Sequence, residues 1–205
     1  MYKSFNTDMT IGGYQFEVGK TYEIEEGEEL KFEFEFCRDI QDCFRSHGIK
    51  SRICEIKAED IIEGDYKSVC RKITIVRELS QKEIMDKITE SSHAFWWAKI
   101  IGNPEVMIDK ITDSYHAYLW ARDIGNLDVM IDRVTDSYSA YLWALNIGNQ
   151  DVMIDRITDS EDAYLWSSNI GNPEVMIDRI TNEYQRKEIE EIIRENVLNK
   201  GIKNV

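Results

Sequence analysis

The stretch ITDSYHAYLWARDIGNLDVMIDR, residues 111–133, decides the fold, because the chain repeats it with small changes. ITESSHAFWWAKIIGNPEVMIDK (88–110) precedes it. VTDSYSAYLWALNIGNQDVMIDR (134–156) and ITDSEDAYLWSSNIGNPEVMIDR (157–179) follow, all without a gap. Self-similarity at a fixed period of this order marks a solenoid of stacked supersecondary units. Each unit reads as two short helices. Asp113 is placed to cap the first, its carboxylate accepting from amides the helix leaves orphaned. Ser114 to Ile124 then sets Ala117, Leu119, Trp120 and Ile124 toward one side, and Gly125 supplies the left-handed residue that ends a helix. Asn126 is expected to cap the second helix. Pro104 and Pro173 share the slot of Leu127, a first helical position where proline is tolerated. Val129, Met130 and Ile131 carry that helix back to Thr135-Asp136, where the cycle restarts.

Helices this short do not persist alone, since nucleation costs more than a few hydrogen bonds return. Stacking must therefore bury the recurrent side chains, at roughly 8–10 Å per layer, which gives the four units a length of about 40 Å. A half-unit, KEIMDK (82–87), precedes the first repeat, and a fifth begins at Ile180-Thr181-Asn182. From Asn182 a longer closing helix is expected, with Ile189, Ile192, Ile193 and Val197 on one face and Gly201 at its end.

Repetition also sorts glue from surface. The Ala94, Ala117, Ala140 and Ala163 column allows close approach, and Trp97, Trp120, Trp143 and Trp166 form a ladder read as core. A nucleic-acid stacking platform would need basic flanks, which are absent. Asp109, Asp132, Asp155 and Asp178 recur beside Lys110, Arg133, Arg156 and Arg179, as ion-pair or capping ladders. Two columns vary: His93, His116, Ser139 and Asp162, and Lys99, Arg122, Leu145 and Ser168. Variation suggests solvent exposure. The candidate binding residues are accordingly His93, His116, Lys99, Arg122, Leu145 and Ser168. The two histidines sit one layer apart, too far for one metal ion, so no metal is expected.

The net charge of −14 argues against direct nucleic-acid binding, which needs clustered cations facing phosphate. Residues 1–79 carry −5 and the remainder −9, so the acidity is spread along the chain. No run is long and apolar enough for a membrane span, and the start, MYKSFNTDMTIGG, lacks the marks of a secretory signal. A cytoplasmic protein with reduced cysteines is expected. Cys37, Cys43, Cys54 and Cys70 form no Cys-x-x-Cys pair, and read as small buried hydrophobes rather than zinc ligands. Gly19-Lys20-Thr21 resembles the end of a phosphate loop, but Tyr14 stands where the loop needs glycine. Metalloprotease, nucleophile-elbow and calcium-loop patterns are missing too. No cofactor is expected.

Residues 1–79 have a different texture. KFEFEFC (31–37) alternates charge and Phe, so Phe32, Phe34 and Phe36 should share one side of a strand. Tyr2–Phe5, Tyr14–Val18, Ser51–Ala58 and Ile73–Leu79 read as further strands. Asp39–His47 reads as a short helix with Ile40, Cys43 and Phe44 inward and Gly48 at its end. YKSFN (2–6), GYQFEVGKTYE (13–23), FEFC (34–37), SRICEIKA (51–58) and KSVCRKITIVREL (67–79) together resemble a domain of unknown function common in phage and prophage proteins. Members of that family often carry the domain ahead of repetitive segments. They commonly have Cys where Ile11 stands, and Gly-Phe-His-Phe-Cys where this chain has Glu33-Phe34-Glu35-Phe36-Cys37. Roles of that Cys and His do not carry over. The strand order also bears a fainter resemblance to a reduced ADP-ribosyltransferase core, which would set Lys3 near the first strand's basic residue and Glu55 near the catalytic carboxylate.

The expected architecture is α+β: a small strand-rich N-terminal domain (1–79), an α-helical solenoid of two-helix 23-residue repeats (80–181), and a C-terminal capping helix (182–205). The expected function is non-enzymatic protein–protein interaction with a host or phage protein, interfering with a host function. An ADP-ribosyltransferase-like nucleotide-binding enzyme and an acidic nucleic-acid mimic are the alternatives.

Overall fold

Strands come first and helices after, as the two hydrophobic periods require. The computed structural model describes residues 1–24 and 34–202; Phe32, expected beside Phe34 and Phe36, lies outside them. In chain order the strands and first helix are β1 (Tyr2–Phe5), β2 (Thr10–Ile11), β3 (Tyr14–Gln15), β4 (Thr21–Glu23), β5 (Phe34–Phe36), α1 (Ile40–His47), β6 (Arg52–Ile62) and β7 (Ser68–Glu78). Then come α2 (Gln81–Lys87), α3 (Ser91–Ile100), α4 (Pro104–Met107), α5 (Ser114–Asp123), α6 (Leu127–Met130), α7 (Ser137–Asn146), α8 (Gln150–Met153), α9 (Ser160–Asn169), α10 (Pro173–Met176) and α11 (Glu183–Ile202). The chain divides into two compact units, Met1–Ile111 and Thr112–Val205.

In the first unit the antiparallel sheet runs β1-β6-β7-β4, with β5 also paired to β7. The long β6–β7 hairpin is its spine, and a register shift falls between Glu55 and Ile56. Phe5, Phe16, Phe36, Ile56, Ile73 and Ile75 form one core cluster, with Phe34 packed against it. Strand β3 stops at Gln15, short of the expected Val18, while β6 and β7 run further than expected. The chain instead turns at Gly19 (φ +86), whose amide donates to Ile75 O at 2.7 Å. Thr21 then opens β4, so a strand follows Gly-Lys-Thr and a phosphate-binding helix does not. Asp39 caps α1 by accepting from the Gln41 amide, and Ile40, Cys43 and Phe44 are buried.

The repeat unit is shorter on its second side than a two-helix reading implies. Helices α4, α6, α8 and α10 are each four residues long, and each runs on into a 3-10 turn of three residues. Asn103, Asn126, Asn149 and Asn172 do not cap them, contrary to expectation. These residues adopt the left-handed conformation and make no side-chain cap bond. Asparagine is used there because it tolerates left-handed backbone better than other side-chain-bearing residues. Gly and Asn thus form a left-handed pair that reverses the chain. Asp113, Asp136 and Asp159 do cap α5, α7 and α9 with their carboxylates.

Within the second unit, successive layers are joined by polar bonds at the same positions. Ser114 Oγ accepts from the Thr135 amide (2.8 Å), Ser137 Oγ from Thr158 (3.1 Å) and Ser160 Oγ from Thr181 (2.9 Å). Arg156 donates to the carbonyls of Ile131 and Val134, and Arg179 to those of Ile154 and Ile157. Asn146 Nδ2 donates to Tyr118 Oη and Asn169 Nδ2 to Tyr141 Oη, both at 3.0 Å. Between these bonds lie the Ala117/Ala140/Ala163, Trp120/Trp143/Trp166 and Met130/Met153/Met176 columns, all buried. The repeat in the first unit obeys the same rules: Ala94, Trp97 and Met107 are buried, and Lys110 Nζ donates to Met85 O and Ile88 O. Helix α11 buries Ile189, half-buries Ile192 and Ile193, leaves Val197 exposed, and continues through Gly201 rather than ending there.

The left-handed role of the asparagines yields a direct test. Asn149→Gly should leave stability within about 0.5 kcal/mol, whereas Asn149→Ser, a good capping residue that is poor in this conformation, should cost about 1 kcal/mol. Urea denaturation of the two variants decides, and a stable Ser variant would restore the capping role.

Candidate functional site

The column at His93, His116, Ser139 and Asp162 was expected to face solvent and does not. His93, Ser139 and Asp162 are buried, and His116 is half-buried. The position is the third residue of each first helix. In the second unit its amide is the one held by the capping aspartate: His116 by Asp113, Ser139 by Asp136, Asp162 by Asp159. Variation here records different ways of satisfying a polar group inside the protein. Gln41 Nε2 donates to Lys87 O, leaving its Oε1 to accept from His93 Nδ1 at 2.7 Å, so that nitrogen carries the hydrogen. Burial holds His93 below the ordinary histidine range, with Glu90 opposing. His116 instead sets Nδ1 2.9 Å from the Asp113 carboxylate. Burial pushes the Asp162 carboxyl upward; a Ser137 hydrogen bond opposes this, and the Asp159, Asp136 and Glu161 carboxylates add to it.

The second varied column does face solvent. Lys99, Arg122, Leu145 and Ser168 are all exposed. Lys99 Nζ lies over the rings of Phe95 and Trp96, 5.4 and 5.3 Å from their centroids. Arg122 grips its neighbour Asp123 through two bonds of 2.6 and 3.0 Å, and its Nη1 donates to Tyr118 Oη. Ser168 Oγ donates to Tyr164 O. In the second unit this column therefore reads guanidinium, isobutyl, hydroxyl from one layer to the next.

Lys3 and Glu55 are not brought together. Lys3 pairs with Cys54 and Tyr2 with Glu55 across β1 and β6, so alternation sends the Lys3 and Glu55 side chains to opposite faces. Glu55 sits on an interior strand of the sheet, not an edge, and pairs with Arg77 at 2.9 Å. Lys3 is buried, donating to Glu35 O at 2.5 Å. Its amine is lowered to about 8 by burial, which the Glu35 carboxylate and the thiols of Cys70, Cys37 and Cys43 partly offset. All four cysteines are buried free thiols. A hydrogen bond between Cys37 and Cys43 lowers the former and raises the latter. Among the described residues, no three His, Cys, Asp or Glu side chains are grouped to hold a metal ion. No helix among them is long and apolar enough to cross a membrane.

Sequence reasoning missed the serine and Asn–Tyr bonds that join layers. Their signal was present in Ser91, Ser114, Ser137 and Ser160, which never vary between repeats. Against known proteins, residues 1–87 match a family described as a domain of unknown function, DUF7666. No curated protein and no solved structure matches the chain.

Two buried charges set the expected pH behaviour. The folded amine of Lys3, at about 8, lies below its ordinary 10.5, so burying the ion costs stability fully below pH 8 and not above 10.5. Lys3→Met should raise the melting temperature at pH 7, with the gain shrinking as pH climbs through that window; a lower melting temperature at pH 7 would refute it. Asp162 has the opposite profile, because its folded carboxyl is raised: the cost appears as pH rises above the ordinary carboxylate value. Asp162→Asn should therefore stabilise at pH 7 and lose that advantage toward pH 4, as calorimetry across the range would show.

Proposed function

We propose that this chain is a non-catalytic protein-binding module, in which a phage-type α+β domain is joined to a helical repeat array that engages a host or phage protein in the cytoplasm. One observation carries the reading. The repeated tryptophans Trp97, Trp120, Trp143 and Trp166 and all four cysteines are inside, while Arg122, Leu145 and Ser168 change character layer by layer on an exposed column. A surface built on a constant scaffold with changing side chains suits discrimination between partners. Interference with a host function follows from the phage setting of the family that the first 79 residues resemble.

Affinity capture from bacterial lysate with the full chain tests this. A stoichiometric protein partner should be recovered by the native chain and lost with Arg122→Glu/Leu145→Asp. Recovery of no saturable partner, or of the same partner by both chains at equal affinity, would remove the proposed role of that column. The acid surplus also favours mimicry of a nucleic acid, and a partner that duplex DNA elutes from the column would select that version of the function.

A further inference from the structure

The second side of each repeat carries a recurrent pattern that faces solvent. In the second unit, Val129, Val152 and Val175 recur at one position and are 45, 46 and 50% exposed. Beside them Asp128, Asp151 and Glu174 stand in the first turn of α6, α8 and α10. Carboxylates there are accounted for by the helix dipole. Asp132, Asp155 and Asp178 are not. They lie in the 3-10 turn at the far end of the same segment, where the dipole disfavours negative charge. Asp155 and Asp178 are 90 and 91% exposed, and their cations stand 4.0 and 3.5 Å away; pairs so exposed contribute little.

Neutralisation from within is also limited. Residues 111–179 hold twelve Asp and Glu against four Arg and no Lys. Of those four, Arg156 and Arg179 donate inward to backbone carbonyls and Arg122 is clasped by Asp123. What remains is a half-exposed valine flanked by carboxylates, presented once per layer. The exposed column of Lys99, Arg122, Leu145 and Ser168 drifts between residue types; this one does not, and neither does the exposed threonine column of Thr112, Thr135 and Thr158.

From these observations we infer that the valine–carboxylate face of the second unit docks a basic segment of a partner protein, in polyproline II conformation, that carries one cationic and one apolar side chain in every three residues. The inference rests on the protein-binding reading above and names the partner's chemistry. Charge complementarity selects the occupant: the same field repels nucleic-acid phosphate and anionic lipid. The repeat sets the register. Layers about 8–10 Å apart match one turn of polyproline II, three residues at roughly 3.1 Å each, in which every third side chain returns to the same edge, so one cation and one apolar residue in every three would meet each layer in phase.

The full chain is titrated against a labelled peptide of Lys-Leu-Ser repeated four times, and against a peptide of the same composition with its lysines, leucines and serines in blocks, read by fluorescence anisotropy. The periodic peptide should bind at least about tenfold more tightly. Asp132→Asn/Asp155→Asn/Asp178→Asn should weaken it by about tenfold, and Val129→Ser/Val152→Ser/Val175→Ser likewise. Glu183→Gln/Glu191→Gln/Glu195→Gln, which removes the same number of charges from α11, should not; circular-dichroism melts confirm that each variant is folded. Equal affinity for the two peptides, or equal loss in the α11 variant, reduces the effect to net charge and overturns the inference. A lysate partner lost with Arg122→Glu/Leu145→Asp but kept by the aspartate variant would leave the protein-binding reading standing and remove this face from it.

Discussion

A four-residue helix cannot hold itself together, and the array depends on that constraint. Four residues make a single turn, with nearly every backbone group still in want of a partner. Helices α6, α8 and α10 exist because Met130, Met153 and Met176 anchor them beneath the longer α5, α7 and α9, whose tryptophans and alanines fill the same layers. Stability is therefore a property of neighbouring layers rather than of any repeat. The tryptophans carry a cost of their own. Among the described residues, Nε1 of Trp97, Trp120, Trp143 and Trp166 is buried without a hydrogen-bond partner. An unsatisfied buried donor costs about 1–3 kcal/mol. The ring's large buried area offsets this, since aromatic side chains dominate core energetics.

The short turns create a second demand, carbonyls at their ends that are incompletely satisfied; Ile131 O and Ile154 O accept only long bonds, 3.3 and 3.4 Å, from the Val134 and Ile157 amides. Arg156 and Arg179 meet it from the end of the following layer, each donating to one carbonyl of the layer before, Ile131 or Ile154, and to the one that opens its own layer, Val134 or Ile157. Guanidinium suits the task because its fork offers several donors in a fixed geometry. Charge follows as a consequence. A repeat whose cations face inward, and whose caps are aspartates, turns a negative surface to water. The acidity of the chain is thus partly a by-product of how the layers are sealed, and partly the added carboxylates at the ends of the 3-10 turns.

Much of this was legible in the sequence, and the failures share a cause. Periodicity located the helices and the strand-rich start, and Asp113 announced itself as a cap. Asn126 and its counterparts were misread, because asparagine serves both caps and left-handed backbone and only the dihedral angles separate the two uses. Variation was equated with exposure at His93, His116, Ser139 and Asp162. That rule fails where a buried polar position can be satisfied by different local partners, Gln41 for His93 and the Ser137 hydroxyl for Asp162. Strand ends went astray for a similar reason: β4 is only Thr-Tyr-Glu, too short to show a period, and its existence rests on pairing with β7.

The same distinction bears on where function resides. Lys3 and His93 drew attention as candidate site residues, yet each is buried and held by specific bonds, Lys3 to Glu35 O and His93 to Gln41. Residues that repeat without any packing reason are the more informative ones. An aspartate at the unfavourable end of a turn lowers the stability of the isolated chain slightly, layer after layer, and the valine beside it buries only about half of its surface. Their recurrence through α6, α8 and α10 is the ground on which that face is proposed to meet a partner.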